Sequence, residues 1–269
     1  VLIAAFAIAL DGENVYWTLG LYTPPADATP WPIVMHCPKS GCDAPTVLAY
    51  ATGIGVPGPN DDCAPRFIAV DRTNVFWSSS TESATTVATC AIDGCSDAPA
   101  TVLSTDALWG LGVAGGETVW ADGAVSACEA ADCHATTRVI AAGGEPMTMK
   151  VDGDQVYWAD AQALRTCPVS GCVQPTVVVG VPEVSVFAVD ATNVYWRAEA
   201  GLMMCAKHGC TSPRLLVPND ECDGGFVDMV ADGVHVFWIA GTEVLECAVA
   251  GCGGKPTRID TPYWDETDR

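Results

Sequence analysis

The fourteen cysteines are the side chains with the clearest chemistry, and twelve of them form pairs with the spacing Cys-x4-Cys. A pair at this spacing on a two-stranded hairpin has its Cβ atoms within bridging distance, so each pair predicts a disulfide. Each ring is short, and loop closure therefore predicts only about 2 kcal/mol of stabilisation per bond. Metal binding is the alternative, but no second pair or histidine stands at a matching position to complete four ligands. The predicted disulfides are Cys37–Cys42, Cys90–Cys95, Cys128–Cys133, Cys167–Cys172, Cys205–Cys210 and Cys247–Cys252.

Cys63 and Cys222 are the two cysteines outside this pattern, and each follows a Pro-Asn dipeptide and two acidic residues. We predict that they bond to each other, the alternative being two free or intermolecular thiols. The bond would gather five acidic side chains, whose hard oxygen ligands suit Ca²⁺. A solvated acidic rim is the other interpretation of this cluster. Its members are Asp61, Asp62, Asp220, Glu221 and Asp223.

Two further groups have the chemistry of a site. Tyr22 and Trp31 lie in a proline-rich insert, where large aromatic side chains either anchor a partner or cover the neighbouring strands. His134 directly follows Cys133 and gives one cysteine pair the look of a stretched haem-attachment motif, but the other five pairs lack this histidine. No serine or cysteine nucleophile signature accompanies any histidine, so no catalytic residue is assigned.

The cysteine pairs belong to a repeat that occurs six times. In its fullest form a copy has an apolar run ending at Asp, a turn with Asn, an aromatic-Trp pair, the Cys-x4-Cys segment, and a β-branched run. The marker tryptophans are Trp17, Trp77, Trp120, Trp158, Trp196 and Trp238. A period near 40 residues with four short strands and no helical periodicity is typical of a propeller blade.

The sequence therefore predicts an all-β fold, a six-bladed β-propeller with four antiparallel strands and one hairpin disulfide in each blade. One domain spans residues 1–260, and 261–269 form a polar tail. The blades are 6–49, 67–104, 110–141, 147–180, 185–217 and 226–260. Adjacent strand residues face opposite sides, so the two members of each aromatic-Trp pair should fill the two gaps beside their blade. Either 1–4 or 257–260 is the fourth strand that closes the ring, and the pattern leaves this open.

The net charge of −21, with twelve Lys and Arg against 33 Asp and Glu, excludes nucleic acid as a partner. Regular cysteine pairs indicate an oxidising compartment. The apolar run 1–10 is too short to span a bilayer and is interpreted as the first strand, so no transmembrane segment is predicted. We expect an extracellular, periplasmic or outer-surface protein, secreted or lipid-anchored through a segment upstream of residue 1.

The Asp-x-x-Asn-Val-aromatic-Trp repeat resembles the six-bladed propellers of the YWTD and TolB-like types. With its Cys-Pro-x-Ser-Gly-Cys segment, the chain is most similar to uncharacterised repeat proteins of bacterial, notably myxobacterial, cell envelopes. An Asp two residues after Trp, as in the receptor pattern, occurs only at Asp122 and Asp160. The resemblance covers nearly the whole chain and implies an extracytoplasmic binding or structural role, with no known activity.

Length variation among the copies falls only in the blade links and in the connections between second and third strands. In a propeller these open on one face, and binding normally uses elaborated loops on a rigid frame. We therefore expect a non-enzymatic binding or structural module that uses residues 18–32, 50–66, 78–86 and 217–225. A protein or a larger surface assembly is the expected partner, with a glycan second. The alternative is a Ca²⁺-dependent enzyme of lactonase or lyase type at the channel mouth; otherwise no cofactor is predicted.

Overall fold

The computed structural model of the protein describes residues 3–21, 32–42, 44–50, 65–80, 84–95, 99–219, 226–241 and 243–260. These residues form six antiparallel sheets of four strands, and within every sheet the strands follow one another in chain order. The predicted six-bladed propeller is thus confirmed. We number the blades one to six along the chain.

The first three blades contain these strands: β1 Ile3–Leu10, β2 Asn14–Leu21, β3 Pro32–Pro38, β4 Thr46–Tyr50, β5 Ile68–Val70, β6 Asn74–Ser80, β7 Thr85–Ala91, β8 Ala100–Thr105, β9 Gly110–Ala114, β10 Glu117–Ala121, β11 Val125–Glu129 and β12 Arg138–Ala141. The last three blades contain the remaining twelve: β13 Thr148–Asp152, β14 Gln155–Ala159, β15 Leu164–Pro168, β16 Thr176–Val179, β17 Phe187–Val189, β18 Asn193–Ala198, β19 Gly201–Ala206, β20 Arg214–Pro218, β21 Phe226–Ala231, β22 His235–Ala240, β23 Glu243–Ala248 and β24 Thr257–Asp260.

Each blade is an up-and-down meander, so its connections alternate between two faces of the ring. We call the face with the blade links and the turns between second and third strands the link face. The opposite face carries the turns between first and second strands and the cysteine turns, and we call it the turn face.

The core consists of six clusters of buried side chains, one in each gap between blades. Trp158 packs into the gap with blade three, while the preceding Tyr157 packs into the gap with blade five. The same division holds in blade six, where Trp238 faces blade five and Phe237 faces blade one. The alternation of strand side chains thus divides each pair between two gaps, as the sequence predicts.

The aspartates at the first turns are turn builders. In blade five, Oδ1 of Asp190 accepts hydrogen bonds from the N–H groups of Thr192 and Asn193, at 2.7 and 2.8 Å. Its other oxygen accepts from the Tyr195 hydroxyl at 2.6 Å. Burial and this bond to a carboxylate both raise the pKa of Tyr195 above its ordinary value. The hydroxyl therefore remains a donor that ties the turn to the second strand.

The six predicted hairpin disulfides are all formed, one per blade. In five blades the residue before the second cysteine is a glycine with positive φ, for example Gly171 at 106°. Blade three has Asp132 there instead, with φ −148°, and the chain continues as a short helix, α1 Cys133–Thr136. Asp132 caps this helix by accepting from the N–H of Ala135. The repeat predicts the same Cys-x4-Cys turn in every blade, and this prediction is wrong for blade three. The reason is that aspartate favours the N-cap of a helix, whereas glycine favours the left-handed turn.

Among the described residues, the ring closes without an exchanged strand. Thr257–Asp260 is the fourth strand of blade six and pairs with β23, whereas Ile3 and Ala4 belong to the first strand of blade one and pair with β2. The seam between the two blades is held by a side-chain cluster that includes Trp17 and Phe237. A hydrogen bond from the N–H of Ile8 to Asp228 crosses the same seam at 2.9 Å.

Two seams carry the same ion pair. Lys39 of blade one binds Asp232 of blade six, with Nζ and Oδ2 2.9 Å apart, and Lys207 of blade five binds Asp152 of blade four at 2.6 Å. Each lysine stands two residues after the first cysteine of its blade, and each aspartate lies at or directly after the end of the first strand of the preceding blade. Blade four has Val169 at the lysine position, where it is buried in the core. This position therefore joins neighbouring blades through either charge or apolar packing.

Candidate functional site

A pocket opens on the link face at the junction of blades three and four, with a volume of about 960 Å³. Its wall consists of the link 142–147, the turn 160–162 of blade four, and side chains at the edges of both blades. Trp109 and Met147 flank it at equivalent positions, since each donates its backbone N–H to the last residue of a second strand, Ala121 or Ala159. Both side chains are exposed, at 51% and 45%. Large exposed apolar groups beside a concave surface are typical of binding sites.

The Trp-Ala-Asp sequence occurs in both blades but makes different bonds in each. In blade three the indole Nε1 of Trp120 donates to Asp122 at 2.9 Å. In blade four Asp160 accepts instead from the backbone N–H groups of Gln162 and Ala163, at 2.8 and 2.9 Å, and from Nε of Arg165. Asp160 is thereby saturated by other donors.

Trp158 has a buried indole N–H with no acceptor in the described part of the chain, as have Trp17 and Trp77. Its side chain is 1% exposed and lines the pocket. The nearest backbone is that of Gly144, where a Cβ would lie 3.6 Å from Nε1. Because a buried donor without a partner is costly, an acceptor oxygen that reached this covered atom would be stabilised.

Arg165 stands directly beside Trp158, since the two residues are cross-strand partners in the sheet. Burial by itself raises the pKa of Asp160, but the hydrogen bond from Arg165 and two backbone N–H groups lower it by more. Asp160 therefore stays ionised and offsets the charge of the guanidinium. Only Nε of Arg165 is used in the ion pair, so the Nη groups remain as further donors at the pocket wall.

The central channel is the second concave feature, a cavity of about 230 Å³ lined by the innermost strands. Lys150 of blade four reaches Asp228 of blade six across it, with Nζ and Oδ1 2.6 Å apart. The same carboxylate accepts from the N–H groups of Ile8 and Met229. The pair joins two blades that are not neighbours, and both side chains are 19% exposed. We assign this group a structural role.

The turn face has a depression of about 810 Å³ over blades one to three. Asp11 and Asp71 lie at its wall, but their carboxylates accept from nearby backbone N–H groups, including that of Glu13. Asp11 also accepts from the Tyr16 hydroxyl at 2.5 Å. Burial raises the pKa of Asp11, and these donors together lower it below its ordinary value. The oxygens are thus occupied by the turns that they build.

Most site residues proposed from the sequence lie outside the described residues. They are Tyr22, Trp31, Asp61, Asp62, Cys63, Asp220, Glu221, Cys222 and Asp223. His134 is described; it is exposed on α1, and its neighbour Cys133 is bonded to Cys128. Haem attachment needs free thiols, so the haem interpretation is wrong for this oxidised pair. Among the described residues no group of three or more His, Cys, Asp or Glu side chains is placed to hold a metal ion.

The pocket lies on the face expected from the loop lengths, but over the two blades with the shortest connections. The sequence did contain a signal for this pocket, because Trp-x-Asp occurs only at Asp122 and Asp160, in the two blades that form it. The difference between the two blades was also visible, because Trp120 is opposite Ser126 and Trp158 is opposite Arg165.

Comparison of the whole chain with known proteins identifies the fold alone. No protein-family model and no curated protein sequence matches it. Among solved structures, it is similar to a chain of a nidogen/laminin complex, with a TM-score of 0.62 and 14% identity over 96% of this chain and 92% of that one. It is also similar to PorZ, a surface component of the type-IX secretion system of Porphyromonas gingivalis, with a TM-score of 0.59 and 9% identity. This match covers 98% of this chain and 39% of PorZ.

The propeller domain of the Trilobed protease from Pyrococcus furiosus gives a TM-score of 0.53 and 8% identity, over 98% of this chain and all of that one. Its structure is described as an open velcro topology. These likenesses and the six sheets define the class of this protein as a six-bladed β-propeller with a disulfide in every blade. In the described part of the chain, no helix is long and apolar enough to cross a membrane.

Proposed function

We propose that the protein is a non-enzymatic, extracellular binding or structural module that holds a protein partner on its link face. The observation that carries this proposal is the contrast between the two faces. The turn face varies little in length: in four blades an aspartate builds the first turn, and in all six a disulfide joins the third and fourth strands. The four long segments 18–32, 50–66, 78–86 and 217–225 all connect strands on the link face.

Two further observations support this function. Six disulfides are typical of proteins that work in an oxidising compartment. A net charge of −21 steers the protein toward partners with basic surfaces and away from nucleic acid. Similar propellers occur in a nidogen/laminin complex and in a bacterial surface component, which are roles of the kind proposed here.

The test compares partner capture by three proteins purified without reductant. In the first variant, residues 22–31 are replaced by the short connection of blade three, Ala121–Ala124. The control variant carries Glu13→Ala and Arg72→Ala on the turn face, where both side chains are exposed. Proteins of the source cell surface are crosslinked to each bait and quantified by mass spectrometry.

We expect the shortened loop to lose partners that the wild type and the turn-face variant both capture. If the turn-face substitutions abolish capture and the shortened loop preserves it, the assignment of the link face is wrong. If all three baits capture the same proteins equally, segment 22–31 does not hold the partner.

The bond between Cys63 and Cys222, and a Ca²⁺ site in the acidic segments beside it, are parts of the same proposal. Calorimetric titration of the metal-free protein with Ca²⁺ tests the site directly. Binding that disappears in the Asp61→Asn/Asp220→Asn double variant supports it, and heat that is unchanged in this variant argues against it. Hydrolase or lyase activity that needs Ca²⁺ and these two residues would favour the enzyme alternative.

A further inference from the structure

We propose that the pocket between blades three and four binds a neutral saccharide. This site is distinct from the long segments used in the proposed function, and it depends only on described residues. Trp158, whose indole N–H has no partner among the described residues, lies at the wall of this pocket of about 960 Å³.

The two donors at the pocket wall require oxygen acceptors on the ligand. Trp158 offers one N–H, and the neighbouring Arg165 offers the Nη groups that its ion pair with Asp160 does not use. Gly143 and Gly144 line the wall here, and the absence of their side chains leaves space next to the indole. A methyl group on Gly144 would lie 3.6 Å from Nε1 and would fill the position of an acceptor.

The charge of the site disfavours an anionic ligand. Asp160 offsets the guanidinium of Arg165, and the whole chain carries a net charge of −21. A phosphate or carboxylate would therefore enter a negative field, and the positive side chain that it would meet, Arg165, is already paired with Asp160. Neutral hydroxyl and ring oxygens accept the same hydrogen bonds without this penalty.

The flanking side chains require that the ligand also have an apolar surface. The indole of Trp109 and the thioether of Met147 are both about half exposed at equivalent positions of neighbouring blades. An aromatic face stacks on C–H groups, while Gln162 and Glu145 at the wall accept hydrogen bonds from hydroxyl groups. A sugar ring combines an apolar C–H face with hydroxyls that both donate and accept, and it fits this combination of groups.

The backbone conformation of Glu145, at the pocket wall, is a second observation that supports a ligand site. Glu145 has φ 39°, one of only two non-glycine residues with positive φ in the described part of the chain, and it directly precedes Pro146. A residue before proline seldom takes a helical conformation of either hand, so this backbone is strained. Strained residues of this kind cluster at ligand sites.

The experiment uses the whole oxidised chain and a panel of neutral hexasaccharides built from glucose, mannose, xylose or N-acetylglucosamine, each at millimolar concentration. Saturation-transfer NMR identifies binders, and calorimetry measures their affinity. We expect Trp109→Ala to weaken the best binder about tenfold by removing the stacking surface. Arg165→Lys keeps the charge beside Asp160 and removes the Nη donors, so it should also weaken binding.

Gly144→Ala and Gly143→Ala form a matched pair. Both glycines have positive φ, 91° and 75°, so the two substitutions strain the backbone alike. Only the methyl at residue 144 approaches the indole N–H, whereas a methyl at 143 has no atom within 4 Å. We expect loss of saccharide binding in Gly144→Ala and retention in Gly143→Ala.

Two outcomes would overturn the proposal: no hexasaccharide binds, or binding persists in Trp109→Ala and Gly144→Ala. Capture of a peptide in a Trp109-dependent manner without saccharide binding would assign the pocket to a protein ligand instead. Saccharide binding should be unaffected in the variant with the shortened 22–31 segment, because that segment belongs to blade one and the pocket lies between blades three and four. The outcome of the partner-capture test is therefore independent of the outcome of this one.

Discussion

Replacement of Asp228 by asparagine should be among the most destabilising conservative substitutions in this protein. Its carboxylate accepts from Nζ of Lys150 at 2.6 Å and from the N–H of Ile8 at 2.9 Å, and it thereby connects blades four, six and one. Asparagine has one acceptor and adds a donor, so it cannot satisfy both partners. It also leaves the ammonium group in the channel without its counter-charge.

The expected cost follows from these two losses. Breaking a fully buried ion pair on one side costs about 3–5 kcal/mol, and hydrogen bonds to charged groups contribute about 1.5–3 kcal/mol. Since both side chains are 19% exposed, water compensates in part, and we expect about 2–4 kcal/mol. For a chain of this size that lowers the melting temperature by about 5–15 °C.

The assay is calorimetric unfolding of the oxidised protein, with Asp93→Asn as the matched control. Asp93 is exposed, so its substitution removes the same charge from an acidic chain without breaking a contact across the ring. Lys150→Met should cost less than Asp228→Asn, because the aspartate would keep its backbone donors. If Asp228→Asn unfolds within about 1 °C of the Asp93 control, the carboxylate does not hold the ring and our reasoning fails.

Three other predictions concern the backbone, the seam and the cysteines. Gly201→Ala should lower the free energy of unfolding by at least about 3 kcal/mol, because Gly201 has φ 129° and a Cβ there would lie 2.1 Å from a backbone oxygen. Gly12→Ala is the control, since a Cβ at Gly12 meets open space, and its free energy of unfolding should stay within about 0.5 kcal/mol of the wild type. Urea unfolding measures both. Burial raises the pKa of Asp232, but backbone N–H groups and a lysine lower it by more, so the carboxylate binds protons more readily in the unfolded chain. The stabilisation from Asp232 is therefore present above its ordinary pKa of 3.8 and is lost as the pH falls below that value. The melting temperature of Asp232→Asn should depend less on pH in this acidic range than that of the wild type, and equal slopes would contradict this. If Cys63 and Cys222 are bonded, the denatured, unreduced protein should show no thiol reactive to maleimide, and labelling at either position would refute the bond.

Much of the architecture was predictable because its determinants are local and repeated. The spacing from Trp158 to Cys167 recurs from Trp196 to Cys205, and each such segment contains the end of the second strand, the turn that follows it, and the third strand as far as the first cysteine. The division of Tyr157 and Trp158 between two gaps follows from strand alternation alone. A single copy of the repeat therefore predicts the sheet that every copy forms.

Contacts between copies were harder to predict. Lys207 binds an aspartate 55 residues earlier, and nothing in its own blade indicates the partner. The helix of blade three depends on one residue, Asp132, that replaces a glycine of the pattern. The pocket depends on whether Asp160 bonds the indole or the arginine beside it, and that choice is made by side-chain geometry rather than by the motif.

The closure of the ring without a shared strand has a consequence for how the chain reaches its native state. Every blade is complete in itself, so its strands pair with neighbours only a few residues away, and contact order within a blade is low. Blades can form one after another as the polypeptide emerges, and only the seam between blades six and one must wait until blade six has been synthesised. A circular permutant that begins at blade two should therefore assemble the same ring, with its late step moved to the gap between blades one and two.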